Sequence, residues 1–427
     1  MQKLPYAIIG AGPSGLAAAR ALQKAGLNFI GFEKHDDVGG LWDINNPHST
    51  VYQSAHLISS KRMTEFTEFP MKDSIADYPS HRDLFGYFQD FANHFELKKN
   101  FKFNASVTSV TRESDGNWDI QANGETFKVA GVILATGTLH YPNLPDQKGN
   151  FTGESLHSSQ YKDPETFKGK RVLIVGCGNS ACDIAVDAIH HAKKVDISVR
   201  RGYHFVPKYL FGKPADTLGK SHLPPFIQKN VQKKILKAFM GSPENFGFPK
   251  PDHDLFESHP VVNSLILYHA GHGDIKVKPD IEKTEGKKVF FNDGQVEEYD
   301  LILWATGYKL KYPFIDAKLL NWDKASPDLY LKIFHPNIDN LFIVGMIEAL
   351  GIGWQGRYEQ AELVAIYLKQ KEAKSAGFTK FNSMKLQPVD LTGDIKYLKL
   401  DRMSYYVHKP TYMNEIKKHK RVLTDSI

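Results

Sequence analysis

The chain has 427 residues, 41% hydrophobic and 24% charged, the balance of a soluble globular protein with two or three folding units. Its formal charge of +6 comes largely from local runs at Lys229 to Lys237 and Lys417 to Arg421. These read as solvated basic faces, so neither a nucleic-acid nor a membrane partner is expected, and no apolar run reaches the roughly eighteen residues that a membrane span needs.

The chain opens on an apolar run, Tyr6 to Ile9, which leads directly into Gly10-Ala11-Gly12-Pro13-Ser14-Gly15. This is a strand entering a tight turn, not a secretory leader. An apolar-periodic helix follows, then a strand from Asn28 to Phe32 that ends on Glu33. In such a turn the first glycine makes the bend and the second admits a pyrophosphate. The third lets helix and strand pack closely, with the helix N-terminus toward the phosphates. An acid at the next strand end accepts from a ribose 2′-hydroxyl, and Glu33 would repel a 2′-phosphate there.

Strands are expected through Phe101 to Val110, Trp118 to Ala122 and Thr126 to Val129, with a turn at Asp115-Gly116-Asn117. They close on an apolar strand ending Ala135-Thr136-Gly137. The plan then repeats. Val172 to Val175 enters Gly176-Cys177-Gly178-Asn179-Ser180-Ala181, and the next strand, Val195 to Val199, ends on Arg200 and Arg201. Two guanidiniums suit a 2′-phosphate, so this copy should prefer NADPH. Cys177 and Cys182 lie five apart, without redox-pair or zinc spacing, and read as small buried residues; no metal site is expected. Gly202 to Gly273 is rich in Pro, Gly, His and Phe and reads as an irregular insertion with helices, including a basic amphipathic run at Phe226 to Phe239. Strands at Lys276 to Thr284 and Lys288 to Asn292 close on Leu301 to Trp304, followed by Ala305-Thr306-Gly307. A strand at Leu341 to Val344 ending on Gly345, and a helix from about Tyr358 to Lys374, return to the first unit. The last fifty residues are polar and basic and receive no role.

These features predict an α/β protein with two Rossmann-like dinucleotide-binding domains, three-layered, with small antiparallel insertions. The divisions are 1–150, 151–320 with its insertion at about 202–273, and 321–427 as return and extension.

Between the two halves stands Phe151-x-Gly153-x-x-x-His157-x-x-x-Tyr161-Lys162. Together with Gly39-Gly40-Leu41-Trp42, Val175 to Asp183 and Ala305 to Tyr308, it resembles the fingerprint of the flavin-containing monooxygenases. Related Baeyer–Villiger enzymes carry Trp where this chain has Tyr161. The resemblance implies FAD, with Gly10, Gly12, Pro13, Ser14 and Gly15 on its pyrophosphate and Glu33 and Lys34 at its ribose. Gly40, Leu41 and Trp42 would lie along the ribityl chain and ring and Val107 at the adenine, with Thr136 and Gly137 as further cofactor-binding candidates. Gly176, Gly178, Asn179, Ser180 and Ala181 would hold NADPH, with Arg200 and Arg201 on its 2′-phosphate and Thr306 and Gly307 nearby. His157 fits a hydrogen-bonded linker at least as well as a catalytic group.

The activity implied is that of an N,N-dimethylaniline monooxygenase-like enzyme. It would use NADPH and O2 to oxygenate an amine nitrogen or sulfide sulfur of a small molecule through a C4a-hydroperoxyflavin. Many relatives place Asn just before Ser-Ser-Lys, where it helps orient that species. Here Ile58 precedes Ser59-Ser60-Lys61 and has no hydrogen-bonding capacity. His56, Ser59 or the backbone could substitute. The alternatives are a Baeyer–Villiger-type ketone monooxygenase and a weakly coupled NADPH oxidase. The vertebrate relatives' C-terminal anchor is not found, which implies a soluble, cytoplasmic protein; the sequence is compatible with a homodimer without requiring one.

Overall fold

The computed structural model describes residues 3–146, 149–218 and 234–425. Two five-stranded parallel sheets organise them. The first runs Leu341–Ile343, Gly131–Leu134, Tyr6–Ile9, Phe29–Phe32, Phe101–Lys102. The second runs Glu154–His157, Leu301–Trp304, Arg171–Val175, Lys194–Ser198, Ile275–Lys278. Both place the strand that enters the glycine turn in the centre, beside the strand that ends in Ala-Thr-Gly.

Alternation along the central strands explains the layers. Tyr6 and Ile8 face a core shared with the helices Pro13–Lys24, His81–His94 and Gly353–Glu372, while Ala7 and Ile9 face Trp118 and Ile120 of an antiparallel meander. In the second sheet Val172 and Ile174 pack toward the helix Asn179–Ala188, and Leu173 and Val175 toward Val289, Phe291 and Tyr299. Strands buried on both faces read as unbroken apolar runs, which is why the sequence marked them so clearly. The fold is thus α/β with two Rossmann-like units, each sheet sandwiched between helices and a small antiparallel sheet.

Three expectations need correction. The expected strand from Phe101 to Val110 is two strands. Phe101–Lys102 closes the edge of the first sheet, Asn104 turns at φ 50°, and Val107–Arg112 begins the meander. Lys276 to Thr284 divides likewise: Ile275–Lys278 joins the second parallel sheet and Ile281–Gly286 the second meander. Both divisions come from pairing partners distant in sequence, to which local alternation is blind. The unassigned C-terminus is an integral layer. Its helix Lys409–Thr424 buries Tyr412, Ile416, His419 and Leu423 on one stripe in the core of the first unit. The basic run at Phe226 to Phe239 falls mostly outside the described residues, of which 234–240 are helical. The insertion otherwise contributes a short hairpin, Tyr209–Leu210 with Lys213–Pro214, and the helix Leu265–His272.

Candidate functional site

The first glycine turn is shaped by space. Gly10 sits at φ +103°, and a Cβ there would lie 2.7 Å from the Ala135 carbonyl oxygen. On Gly15 a Cβ would fall 1.8 Å from the Gly10 carbonyl oxygen, so helix and strand meet at backbone distance. Gly12 caps the helix Pro13–Lys24 with no side-chain acceptor, in contrast to Ser80 and Ser375, which cap their helices through their hydroxyls. The first N–H groups of that helix therefore meet no side-chain cap, the arrangement that receives an anion. Gly40 packs on this turn, where a Cβ would lie 3.0 Å from Gly12 Cα, and Gly39 N–H donates to the Ala11 carbonyl at 3.1 Å. Gly40, Leu41 and Trp42 form one 3-10 turn, with Trp42 edge-on to Trp354 at 6.1 Å.

Glu33 is 5% exposed and accepts from Ala11 N–H at 2.6 Å and His35 N–H at 2.9 Å. The sequence assigned this carboxylate to a ribose; the fold also makes it the brace of the glycine turn. Val107 stands two residues after Ala105, whose N–H donates to the Glu33 carbonyl at 2.8 Å, so it lies at the same end of the sheet. Thr136 flanks Gly10, and Gly137 continues at φ +75°. Here the His140 ring bonds the Thr136 carbonyl through Nε2, while its Nδ1 is buried without a partner. Burial lowers the pKa of Lys34 against the opposing pull of Glu33, and burial, followed by the Lys34 charge, depresses that of His140.

The second turn repeats the geometry. Gly176 lies at φ +116°, with a Cβ position 2.5 Å from the Ala305 carbonyl oxygen, and Gly178 opens on empty space and caps its helix without a side-chain acceptor. Ala181 is buried against the strand beside Ser180. Thr306 Oγ1 donates to the Asn143 carbonyl at 2.5 Å, and Gly307 turns at φ +82°. Asn179 differs from expectation: its Oδ1 accepts from Val262 N–H at 2.7 Å and its Nδ2 donates to the Pro260 carbonyl at 3.4 Å. Its side chain holds the insertion in place, so only its backbone remains to face the turn. Arg200 is exposed, and the Arg201 guanidinium lies 5.2 Å from the Tyr203 ring.

The fingerprint residues join the two halves. His157 bonds the Gly307 carbonyl through Nε2 at 3.0 Å and Ser159 through Nδ1 at 3.0 Å, so it ties strand ends together. Lys162 donates to the Ser49 and Val51 carbonyls at 2.8 and 3.1 Å, and Tyr161 donates to Asp187 at 3.1 Å. Asp187 also accepts from Ser54, and Asp183 from Tyr52 at 3.2 Å and Asn263 at 2.6 Å. Burial pushes both carboxyl pKa values upward, only partly opposed by these hydrogen bonds. This clasp of Tyr52, Asp183 and Asp187 escaped sequence reading; its signal was two acids at i and i+4 on an otherwise apolar helix.

Ile58 is half-buried. His56 is exposed and its Nδ1 bonds the Ser54 carbonyl at 2.8 Å, while Ser59 and Thr64 share a 2.7 Å hydroxyl contact. Both polar candidates therefore spend a hydrogen bond within their own loop. Asp216, from the insertion, accepts from Ser60 N–H at 2.6 Å, and among the described residues Ser60 Oγ and Asp216 Oδ1 are buried without partners. Cys177 and Cys182 are buried thiols 4.0 Å apart.

The model of the flavin-binding monooxygenase-like family matches residues 3–387, and the chain belongs to that family. It is 34% identical over 380 residues to human flavin-containing monooxygenase 5, covering 82% of this chain and 70% of the human protein. It is 33% identical over 371 residues to rabbit (Oryctolagus cuniculus) flavin-containing monooxygenase 3, covering 81% and 70%. Among solved structures, cyclohexanone-bound cyclohexanone monooxygenase superposes with a TM-score of 0.72 at 18% identity, over 99% of this chain and 97% of that one. The S-allyl-L-cysteine S-oxygenase of Allium sativum gives 0.66 at 20% identity, over 100% and 88%. At such identities the structural likeness establishes the fold. Membership of the family implies a flavin cofactor, and no helix among the described residues is long and apolar enough to cross a membrane.

Proposed function

We propose that this flavin monooxygenase uses NADPH and O2 to oxygenate a soft nucleophile, an amine nitrogen or a sulfide sulfur. One observation carries the reading. The fold holds two glycine cradles, each an uncapped helix N-terminus at backbone distance from an Ala-Thr-Gly strand end, and the strand after the first ends on Glu33 while that after the second ends on Arg200 and Arg201. The first fits FAD: Gly10, Gly12, Pro13, Ser14 and Gly15 would face its pyrophosphate, Glu33 and Lys34 its ribose, and Gly40, Leu41 and Trp42 the rest of its length. The second fits NADPH through Gly176, Gly178, Ser180, Ala181 and the two arginines.

Bound FAD supplies the redox chemistry and the activation of dioxygen. The chain supplies position. Glu33 braces the first turn, and Tyr161 and Lys162 lock the segment Ser49 to Ser54 onto the second unit. Trp42 packs with Trp354, and Trp354 with Phe88 and Tyr87, an apolar cluster that would help keep water from a bound flavin. A nucleophilic substrate atom needs no enzymic nucleophile or metal. Ile58 and the self-satisfied His56 and Ser59 favour one further reading, a weakly coupled NADPH oxidase.

The test starts from the visible spectrum of the purified protein, its bleaching by NADPH under nitrogen, and product per NADPH across amines, sulfides and ketones. Expected are bound FAD, rapid bleaching and N- or S-oxide. A folded, colourless protein that cannot be reconstituted with FAD overturns the reading, ester from ketone redirects it to Baeyer–Villiger chemistry, and peroxide alone selects the oxidase.

A further inference from the structure

The C-terminal segment Leu398 to Lys409 lies beyond the residues that the family model matches, yet it spans both cradles. On one side it pairs with Glu348, whose N–H donates to the Tyr405 carbonyl at 3.1 Å and whose carbonyl accepts from Val407 N–H at 2.9 Å. Glu348 belongs to the loop after the strand Leu341–Ile343. In that loop Gly345 presses on the first turn, with a Cβ position 2.2 Å from Ser14 Oγ. Lys409 donates to the Gly351 carbonyl of the same loop, and Tyr405 shares a hydrogen bond with Thr138, which follows Gly137. On the other side the Tyr406 ring stands 6.2 Å from His259, and the next residues after His259, Pro260 to Val262, are held by Asn179 at the second turn.

Arg402 occupies this bridge. Its side chain is accessible at the junction of these contacts. A guanidinium has five N–H donors. Among the described residues one hydrogen bond is made, to Tyr406 Oη at 3.0 Å. The carboxylate nearby, Glu348, is paired with Arg357 at 3.3 Å and acts on Arg402 through its charge. His259 Nδ1 is likewise buried without a partner. An accessible fork of unspent donors, beside an unpartnered ring nitrogen, matches a planar anion that accepts in two-pronged fashion.

Resting on the oxygenation reading above, we propose that Arg402, with His259 and Tyr406 beside it, binds a carboxylate carried by the substrate, so that the C-terminal segment sets specificity for anionic sulfides or amines. The burial of His259 and the Arg402 charge together depress its pKa to about 4, so it is neutral at pH 7 and can donate from a ring nitrogen without adding charge.

The experiment compares 3-(methylthio)propanoate with its methyl ester on the FAD-loaded enzyme. We expect the acid to be preferred in kcat/KM by about 30-fold, the worth of a charge-assisted contact. Arg402→Gln should erase that preference through KM, Arg402→Lys should restore part of it, and anaerobic flavin reduction by NADPH should be unchanged in both. Equal use of acid and ester by the wild type overturns the proposal, as does an acid preference that survives in Arg402→Gln. If that variant instead loses NADPH-driven reduction, Arg402 serves a cofactor phosphate and the proposal fails. If the wild type oxygenates neither compound, the oxygenation reading fails separately. Calorimetric binding of acid and ester to the FAD- and NADP+-loaded protein then decides for Arg402, with equal affinities for acid and ester refuting it.

Discussion

Glu33→Gln separates the observed brace of the glycine turn from the proposed ribose contact. In the structure both oxygens are occupied by backbone donors, Ala11 N–H at 2.6 Å and His35 N–H at 2.9 Å, at a site with little solvent. Hydrogen bonds to a charged acceptor contribute about 1.5–3 kcal/mol each. Gln keeps one accepting oxygen and points an amide nitrogen at the other N–H, so one bond is lost and two donors confront each other. The expected cost is about 2–3 kcal/mol, or roughly 5–10 °C in the melting temperature of the first unit. It must appear in protein stripped of flavin, because the brace needs no ligand. The measurement is thermal melting of apo wild type and apo variant, followed by FAD titration. A further loss of FAD affinity of about tenfold would report a ribose contact added to the brace. Apo proteins that melt within about 1 °C of each other would refute the brace, since a lost buried charged bond shifts melting by more than that.

Replacing Arg200 and Arg201 together with Ala is expected to lower the NADPH-over-NADH preference about a hundredfold, read as the ratio of anaerobic flavin-reduction efficiencies with the two donors; an unaltered ratio means the 2′-phosphate lies elsewhere. For Asp187, burial raises the folded-state pKa above the unfolded value near about 3.9, so its ionisation disfavours the fold as pH rises through that window. The stability of Asp187→Asn relative to wild type should therefore improve as the pH rises above about 4; chemical melts at a series of rising pH values that show a constant difference would contradict the burial of the clasp. Ile58→Asn adds the missing amide and should raise oxygenated product per NADPH consumed. Unchanged coupling would show that the position is not decisive.

Short-range patterns carried the sequence a long way. Gly10 to Gly15 and Gly176 to Ala181 were legible because a tight turn into a helix constrains consecutive residues. Tyr6 to Ile9 and Val172 to Val175 were legible because strands buried on both faces must be apolar throughout. Glu33, Arg200 and Arg201 followed from fixed spacing to those turns. Tertiary structure decided whatever depends on partners distant in the chain. Phe101–Lys102 left the meander because Gly31 and Phe32 lie there to pair with it. Asn179 turned to Pro260 and Val262, and Asp187 met Tyr161 and Ser54, because the insertion and the segment before Ile58 fold onto one helix. The polar C-terminal stretch carried no local signature, since Arg402 and Tyr406 acquire meaning only where their segment pairs with Glu348 and faces His259. Local sterics and burial are written residue by residue, whereas the electrostatic surroundings of a charge are set by every element that packs against it.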